Sequence, residues 1–192
     1  RRFQIVLLVK DLAGYKNLMR ITSLVNIDNP IDPVLTDKIL LEHKEGLVVL
    51  SGGLWGDVSS LLVIDEELAT KRLAFYKDNF EDSYYLEVNP QTNVDDSHMM
   101  RTKTIEIAKK TSTPLVATWN THYLHIQDKQ AQKILYLVNG EEHSLDEYNH
   151  LFQKDVFAFE TGAGVSVFDD IPEALENTLK IADMCTVEIP LG

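Results

Sequence analysis

The stretch LVVLSG at residues 47–52 decides the fold class of this chain of 192 residues. Its four apolar residues follow one another without alternating polar ones, as is typical of a strand buried on both faces of a sheet. The serine and glycine that come next indicate a turn directly after the strand. Three more stretches have this character, and they predict strands at residues 3–9 (FQIVLLV), 83–88 (SYYLEV) and 114–118 (PLVAT).

Helical patterns occupy the intervals between these strands. Apolar residues recur there at helical spacing, and acidic residues at several helix starts complement the helix dipole. We predict helices at residues 11–26, 34–43, 65–79 and 95–110, and a final helix that Asp170 caps. Strands separated by helices favour an α/β fold, in which helical crossovers join parallel strands and functional sites form at the carboxyl ends of the strands.

The composition is that of an ordinary globular protein. Hydrophobic residues make up 44% of the chain and charged residues 25%, which argues against the disordered, collagen-like and fibrous classes. No apolar run approaches the ~20 residues that a membrane-spanning helix needs, so we expect no membrane partner. The single cysteine, Cys185, excludes an intrachain disulfide and favours a reducing compartment, and we therefore expect a cytoplasmic location.

Charge is distributed unevenly along the chain, whose formal net charge is −12. Residues 1–140 hold sixteen basic and eighteen acidic residues, whereas residues 141–192 hold two basic and twelve acidic ones. A chain with this charge is unsuited to be the main DNA-binding surface of a protein, because affinity for a duplex comes largely from Lys and Arg side chains that contact phosphates. The acidic C-terminal part is either a solvated surface or a face that meets a basic partner.

The polar residues that follow the strands are the candidates for chemistry. His122 and His125 follow the fourth strand, and their i, i+3 spacing suits a shared metal only within a helix. Glu87 ends the third strand, where it is either an exposed charge or a carboxylate lining the mouth of a barrel. Asn120 is well placed, but a neutral amide is a poor ligand beside the carboxylates that Zn²⁺ and Mn²⁺ prefer. The sequence SGGLWGD at residues 51–57 lacks the spacing and the lysine of a phosphate-binding loop.

Taken in order, five motifs resemble a known family. The chain resembles the PHP (polymerase and histidinol phosphatase) domain of the bacterial DNA polymerase III alpha subunit in LLVKDLAGYKNLMRITSL, GLVVLSGGLWGD, FEDSYYLEV, IEIAKKTSTPLVATWNTHYLHIQD and IPEALENTLKIADMC. The resemblance runs through nearly the whole chain and is weakest at residues 138–168. It implies a partial, distorted, TIM-like (β/α)7 barrel of parallel strands with outer helices.

The resemblance also implies domain boundaries. The family's domain opens with strands that carry an H-x-H motif, which this sequence does not contain. We therefore expect residues 1–192 to be the C-terminal two-thirds of a PHP domain, ending near its boundary with the polymerase palm. The chain would then be a piece of a longer bacterial protein, and the catalytic aspartates of the polymerase would lie outside it.

The metal-binding positions that the resemblance implies are mostly changed in this sequence. Gln4 and Gln91 stand where the family often has histidine, Gly53 where it often has cysteine, and Asn120 where it often has aspartate. Only His122 remains a good ligand. Because a multinuclear cluster needs several anionic or imidazole donors, the resemblance implies a degenerate site, with Gln91 as one of the side chains lining it.

Two functions follow from the resemblance. In the first, the chain is a segment of a replicative DNA polymerase alpha subunit, and this region is a metal-poor scaffold or docking module. Its partners would be the rest of the polymerase chain, which contacts DNA, and the proofreading exonuclease subunit and other replisome components. By itself this segment would have neither a cofactor nor an enzyme activity.

In the second function, the full-length domain binds divalent metals (Zn, Mn or Mg) and hydrolyses a phosphoester, as a 3′–5′ exonuclease or a pyrophosphatase. A stand-alone PHP phosphatase is a further alternative. His122 and whatever ligands lie outside the chain support this second function.

Overall fold

The computed structural model describes residues 2–28, 30–90, 97–119, 121–139, 144–151 and 165–189. Within these residues the strands form one sheet, in the order β1-β2-β3-β4. They are β1 (Val6–Val9), β2 (Leu47–Leu50), β3 (Tyr84–Val88) and β4 (Leu115–Ala117). Each strand lies inside a stretch that the sequence predicts to be a strand.

Helices cover the sheet and connect its strands. In the described residues the α-helices are α1 (Leu12–Asp28), α2 (Asp37–Glu42), α3 (Asp57–Ile64), α4 (Glu66–Phe80), α5 (Ser97–Thr111), α6 (Lys129–Asn139), α7 (Leu145–Leu151) and α8 (Pro172–Met184). Side-chain caps fix two of the helix starts, because Asp65 accepts from the N–H of Leu68 at 3.0 Å and Thr36 from that of Ile39 at 3.3 Å. None of the described helices combines the length and the apolarity needed to cross a bilayer.

The sheet is mixed rather than wholly parallel. Strands β2, β3 and β4 pair in parallel, as predicted for strands joined by helical crossovers. Strand β1 instead runs antiparallel to β2, with Val6 opposite Leu50 and Val9 opposite Leu47. The expectation of parallel strands throughout is therefore wrong for β1.

The direction of β1 depends on where the connection from β1 to β2 returns to the sheet and not on its number of helices, since β2 and β3 are also joined through two helices and are parallel. The chain leaves the sheet along α1 and returns through a loop and α2, so it re-enters beside the end of β1. There the N–H of Lys10 donates to the carbonyl of Gly46 at 2.9 Å.

The core sits on the two central strands. All residues of β2 and β3 are buried, which agrees with the continuous apolar runs in the sequence. Helices α3, α4 and α5 pack over one face, where Tyr84 of β3 stacks on Tyr76 of α4 with ring centroids 4.7 Å apart. The sheet is open within the described residues, and the architecture is a mixed α/β fold, as expected for part of the barrel that the resemblance implies.

Helix α8 packs against β4. Its buried face includes Ala174 and Ile181, and the side chain of Asn177 donates to the carbonyl of Leu115 at 2.7 Å. The predicted cap at Asp170 is wrong, since the helix begins one residue later and Ile171 is its N-cap. Asp170 instead accepts two hydrogen bonds from Arg101 of α5, at 2.7 and 2.9 Å, which ties the start of α8 to α5.

Candidate functional site

The carboxyl ends of β2, β3 and β4 meet at a cavity of about 160 Å³. Its polar lining comes from Gln4, Glu87, Asn89 and Thr118, with Gly52 at its edge. Two tryptophans, Trp55 and Trp119, and Val6 complete the lining. The cavity lies where parallel strands end, which is the position at which folds of this class usually hold ligands.

Glu87 lies buried in this cavity, with 8% of its surface exposed. Its carboxylate accepts a short hydrogen bond from the N–H of Gly52 and further bonds from the N–H of Gly53 and the hydroxyl of Thr118. Its own N–H donates to the Ser51 hydroxyl at 2.9 Å. Burial raises the pKa of Glu87, and the three hydrogen bonds to the carboxylate oppose that rise. The carboxylate therefore holds the glycine loop that follows β2.

Asn89 is a second polar residue of the cavity, and the sequence analysis missed it. Its side-chain oxygen accepts from the N–H of Leu54 at 3.3 Å. Its side-chain nitrogen donates to the Thr118 carbonyl at 3.2 Å and to the Thr118 hydroxyl at 2.9 Å. The sequence could have identified Asn89 through the alternation of side chains along a strand, which places Asn89 on the same face as Glu87.

The turn after β2 needs glycine at two successive positions. Gly52 has φ +81° and Gly53 has φ +56°, in the left-handed region that side chains disfavour. A Cβ atom at Gly52 would overlap the carbonyl oxygen of Gln4, and one at Gly53 would overlap the side-chain oxygen of Asn89. Gly52 and Gly53 thus allow both the turn and the close approach of Gln4 and Asn89 from other segments of the chain.

His122 lies on the segment after β4. It is not among the residues lining the cavity, and it is at least one-third exposed. Burial of part of the ring lowers the pKa of His122 and so favours the neutral imidazole. Gln91 and Asn120 lie outside the described residues, so Gln4, Gly53 and Glu87 are the predicted site residues that the structure brings together.

The donor set at the cavity does not fit the metal cluster that the PHP fold implies. Among the described residues no three His, Cys, Asp or Glu side chains are grouped so that they could hold a metal ion. The cavity offers one carboxylate, which already accepts backbone N–H groups, together with neutral amide and hydroxyl groups. Multinuclear divalent sites need several anionic or imidazole donors, so we derive no chemical step through a metal here.

A second polar cluster joins the three helices α2, α3 and α4. Arg72 of α4 donates to both carboxylate oxygens of Asp37 at the start of α2, at 2.6 and 2.7 Å. It also donates to Asp57 at the start of α3 and, at 2.8 Å, to the hydroxyl of Tyr76, which in turn donates to Asp57 at 2.8 Å. Burial alone would lower the pKa of Arg72, but the hydrogen bonds to Asp37 and Asp57 raise it. With all its carboxylates paired, this cluster is a brace between helices.

The pH dependence of stability should reveal the buried carboxylate of Glu87. Because the folded-state pKa is raised, the contribution of this group to stability is fully present below the unfolded value of about 4.3 and is lost as the pH rises through the folded value. We expect Glu87→Gln, which keeps an oxygen for Gly52, to gain stability relative to the unsubstituted protein between pH 4 and pH 7. The measurement is the difference in urea midpoint at each pH, in which all other titrating groups cancel. If Glu87→Gln instead loses stability relative to the unsubstituted protein between pH 4 and pH 7, the ionised carboxylate is the favoured buried form.

Comparison with known proteins shows which proteins the chain is similar to. Residues 1–91 match the family model described as "PHP domain". The "DNA polymerase III subunit alpha" of Treponema pallidum is 32% identical over 99% of the chain, and that of Pasteurella multocida is 32% identical over 99%. The subunit of the same name from Helicobacter pylori strain J99 is 31% identical over 100% of the chain. The chain spans 16% to 17% of the length of these relatives.

Proposed function

We propose that this chain is a scaffold segment of a replicative DNA polymerase, because residues 1–91 match the PHP domain model and the whole chain is similar to bacterial DNA polymerase III alpha subunits. In this role the segment contributes a rigid surface to the polymerase and performs no hydrolysis of its own. DNA synthesis belongs to the remainder of the polypeptide, and so does the principal contact with DNA.

The chemistry of the cavity at the strand ends supports this proposal. Its one carboxylate, Glu87, is committed to the backbone of the turn after β2, and the other polar groups there are neutral. A hydrolytic metal centre needs an open coordination position on a firmly held cation, so that a bound water loses its proton. The described residues form a cavity at the position of such a site, but they do not provide the several anionic or imidazole ligands that a metal centre needs.

The charge of the chain supports docking of a protein rather than of DNA. Residues 141–192 carry twelve acidic and two basic residues, and an acidic surface repels phosphates while it attracts basic partners. The partners that we propose are the rest of the polymerase chain and, for docking, the proofreading exonuclease subunit or another replisome component. We propose the cytoplasm of a bacterium as the location.

The decisive experiment compares metal content and hydrolysis in the whole polypeptide that carries this chain. We expect purified protein to bind less than one equivalent of Zn, Mn or Fe by mass spectrometry. It should release no phosphate or nucleotide from p-nitrophenyl phosphate, pyrophosphate or a 3′-labelled primer beyond the blank. DNA synthesis on a primed template, assayed in parallel, shows that the preparation is folded. Hydrolysis that a chelator abolishes and Mn²⁺ restores would overturn the scaffold proposal in favour of a metal-dependent phosphoesterase.

Substitution of His122, the one predicted ligand that is also a good donor, should have little effect. We expect His122→Ala to change the urea midpoint by less than the equivalent of about 0.5 kcal/mol, as is usual for exposed positions, and to leave the metal content unchanged. His125→Ala serves as the matched control, since His125 lies three residues away and is also exposed. Loss of bound metal in His122→Ala alone would show that the imidazole is a ligand.

A further inference from the structure

The three parallel strand ends are linked by a set of hydrogen bonds that we call the clasp, consisting of Gly52, Leu54, Glu87, Asn89 and Thr118. Glu87 and Asn89 project from the end of β3, two positions apart and therefore on the same face. They bind backbone N–H groups of the turn after β2 and the hydroxyl of Thr118 after β4. Every link therefore crosses from one strand end to another, which is the role that a shared metal ion would otherwise have at this position.

Position 53 shows how the clasp and a metal ligand exclude each other. Gly53 is buried, its φ is +56°, and a Cβ atom built there would lie within 3.0 Å of the side-chain oxygen of Asn89. That same oxygen accepts from the N–H of Leu54, so it cannot withdraw without leaving a buried N–H unpaired. The neighbouring Gly52 is different, because its Cβ would meet the backbone oxygen of Gln4 and not the clasp.

We propose that Asn89 occupies the space of a side chain at position 53, and that the clasp holds the strand ends together without a metal ion. This inference rests on the proposed scaffold function and specifies how the scaffold is held. Gly53 and Asn89 are a matched pair, in which the amide both fills the volume left by the glycine and binds the turn that the glycine permits. The cavity is thereby closed to a metal ligand at position 53.

The first test measures hydrogen exchange at single residues in the whole polypeptide that carries this chain. Gly52 and Leu54 donate their N–H groups to Glu87 and Asn89 respectively, so their exchange rates report on the two halves of the clasp. We expect Asn89→Ala to speed exchange at Leu54 about tenfold or more, the factor expected for a lost buried hydrogen bond. Exchange at both positions should be the same in a chelator and in added Zn²⁺ or Mn²⁺. Faster exchange on chelation, or unchanged exchange in Asn89→Ala, would overturn the inference.

The second test is a double-mutant comparison in the same polypeptide. We expect Gly53→Ala to lower the urea midpoint strongly, and expect at least half of this shift to disappear in the Asn89→Ala background, because the overlapping oxygen is gone. The matched control is Gly52→Ala, whose shift should be equal in both backgrounds. Equal shifts for Gly53→Ala in the two backgrounds would show that the residues are not a pair. If Gly53→Ala does not fold at all, recovery of folding in the double variant is the expected result and continued failure contradicts the pairing.

These results separate the clasp from the scaffold function. Metal-dependent hydrolysis by the whole polypeptide would contradict the scaffold function even if Gly53 and Asn89 remained coupled. Loss of the coupling, with no hydrolysis and no bound metal, would contradict the clasp and leave the scaffold function standing.

Discussion

Replacing Arg72 by alanine should destabilise the domain by about 3 kcal/mol or more, which is the range for removing one partner of a buried ion pair. Asp57 is 7% exposed and would keep a buried carboxylate without its cation. The variant also loses the bidentate pair with Asp37 and the packing of the guanidinium over the rings of Phe75 and Tyr76, at 4.6 and 4.5 Å. The urea midpoint of the domain, followed by pulse proteolysis, is the measurement.

The neighbouring residue supplies the control for this prediction. Lys71 pairs with Glu67 on the exposed side of the same helix, where their side chains are 69% and 80% exposed. Exposed pairs of this kind contribute little, so Lys71→Ala should change stability by less than about 0.5 kcal/mol. The loss of stability in Arg72→Lys should lie between the losses in Arg72→Ala and Lys71→Ala, because an ammonium group cannot reproduce the planar guanidinium that contacts two carboxylates. If Arg72→Ala behaved like Lys71→Ala, the cluster would not be a brace.

Replacing Leu86 by alanine should also cost about 3 kcal/mol. Leu86 lies at the centre of β3 and is fully buried in the main core cluster. The truncation removes buried methyl groups and leaves a cavity between the sheet and its helices, and both effects destabilise the folded state. The urea midpoint again provides the measurement, and the slope of the transition should stay unchanged.

Leu179 of α8 is the matched control for Leu86, since the substitution is the same and only burial differs. It is 69% exposed, and alanine is at least as good a helix former as leucine. Leu179→Ala should therefore leave stability within about 0.5 kcal/mol. A similar loss in both variants would mean that the exposed face of α8 is covered in the whole polypeptide.

The sequence predicts the strands well because their signal is local. A run of apolar residues ended by glycine or proline needs no knowledge of the rest of the chain, and β2 and β3 lie within the predicted segments. The direction of β1 could not be obtained in this way, since it depends on where the connection returns to the sheet. Helix α3 was missed because its sequence, DVSSLLVI, is largely apolar and follows glycines closely, so it lacks the polar face by which a surface helix is recognised.

In the candidate site, too, the sequence indicates what depends on neighbouring residues but not what depends on contacts with residues far along the chain. Glu87 was a candidate because it ends a strand, but the choice between an exposed charge and a buried carboxylate depended on the turn after β2, some 35 residues away. Strand alternation could have placed Asn89 on the face of Glu87, but its contact with position 53 depends on the fold and not on the local sequence. The degenerate nature of the metal site came from the resemblance and stays a prediction, which the metal content of the whole polypeptide tests.

The overlap between position 53 and the amide of Asn89 constrains the order in which these two residues can change during evolution. A glycine at 53 must be in place before, or together with, the asparagine at 89, because the reverse order passes through a clash. Return to a side chain at 53 likewise requires the asparagine to be lost first. The effect of a mutation at one position therefore depends in magnitude on the residue at the other, which is epistasis. A scan of single substitutions in this background would score position 53 as less tolerant of side chains than a scan in a background without Asn89.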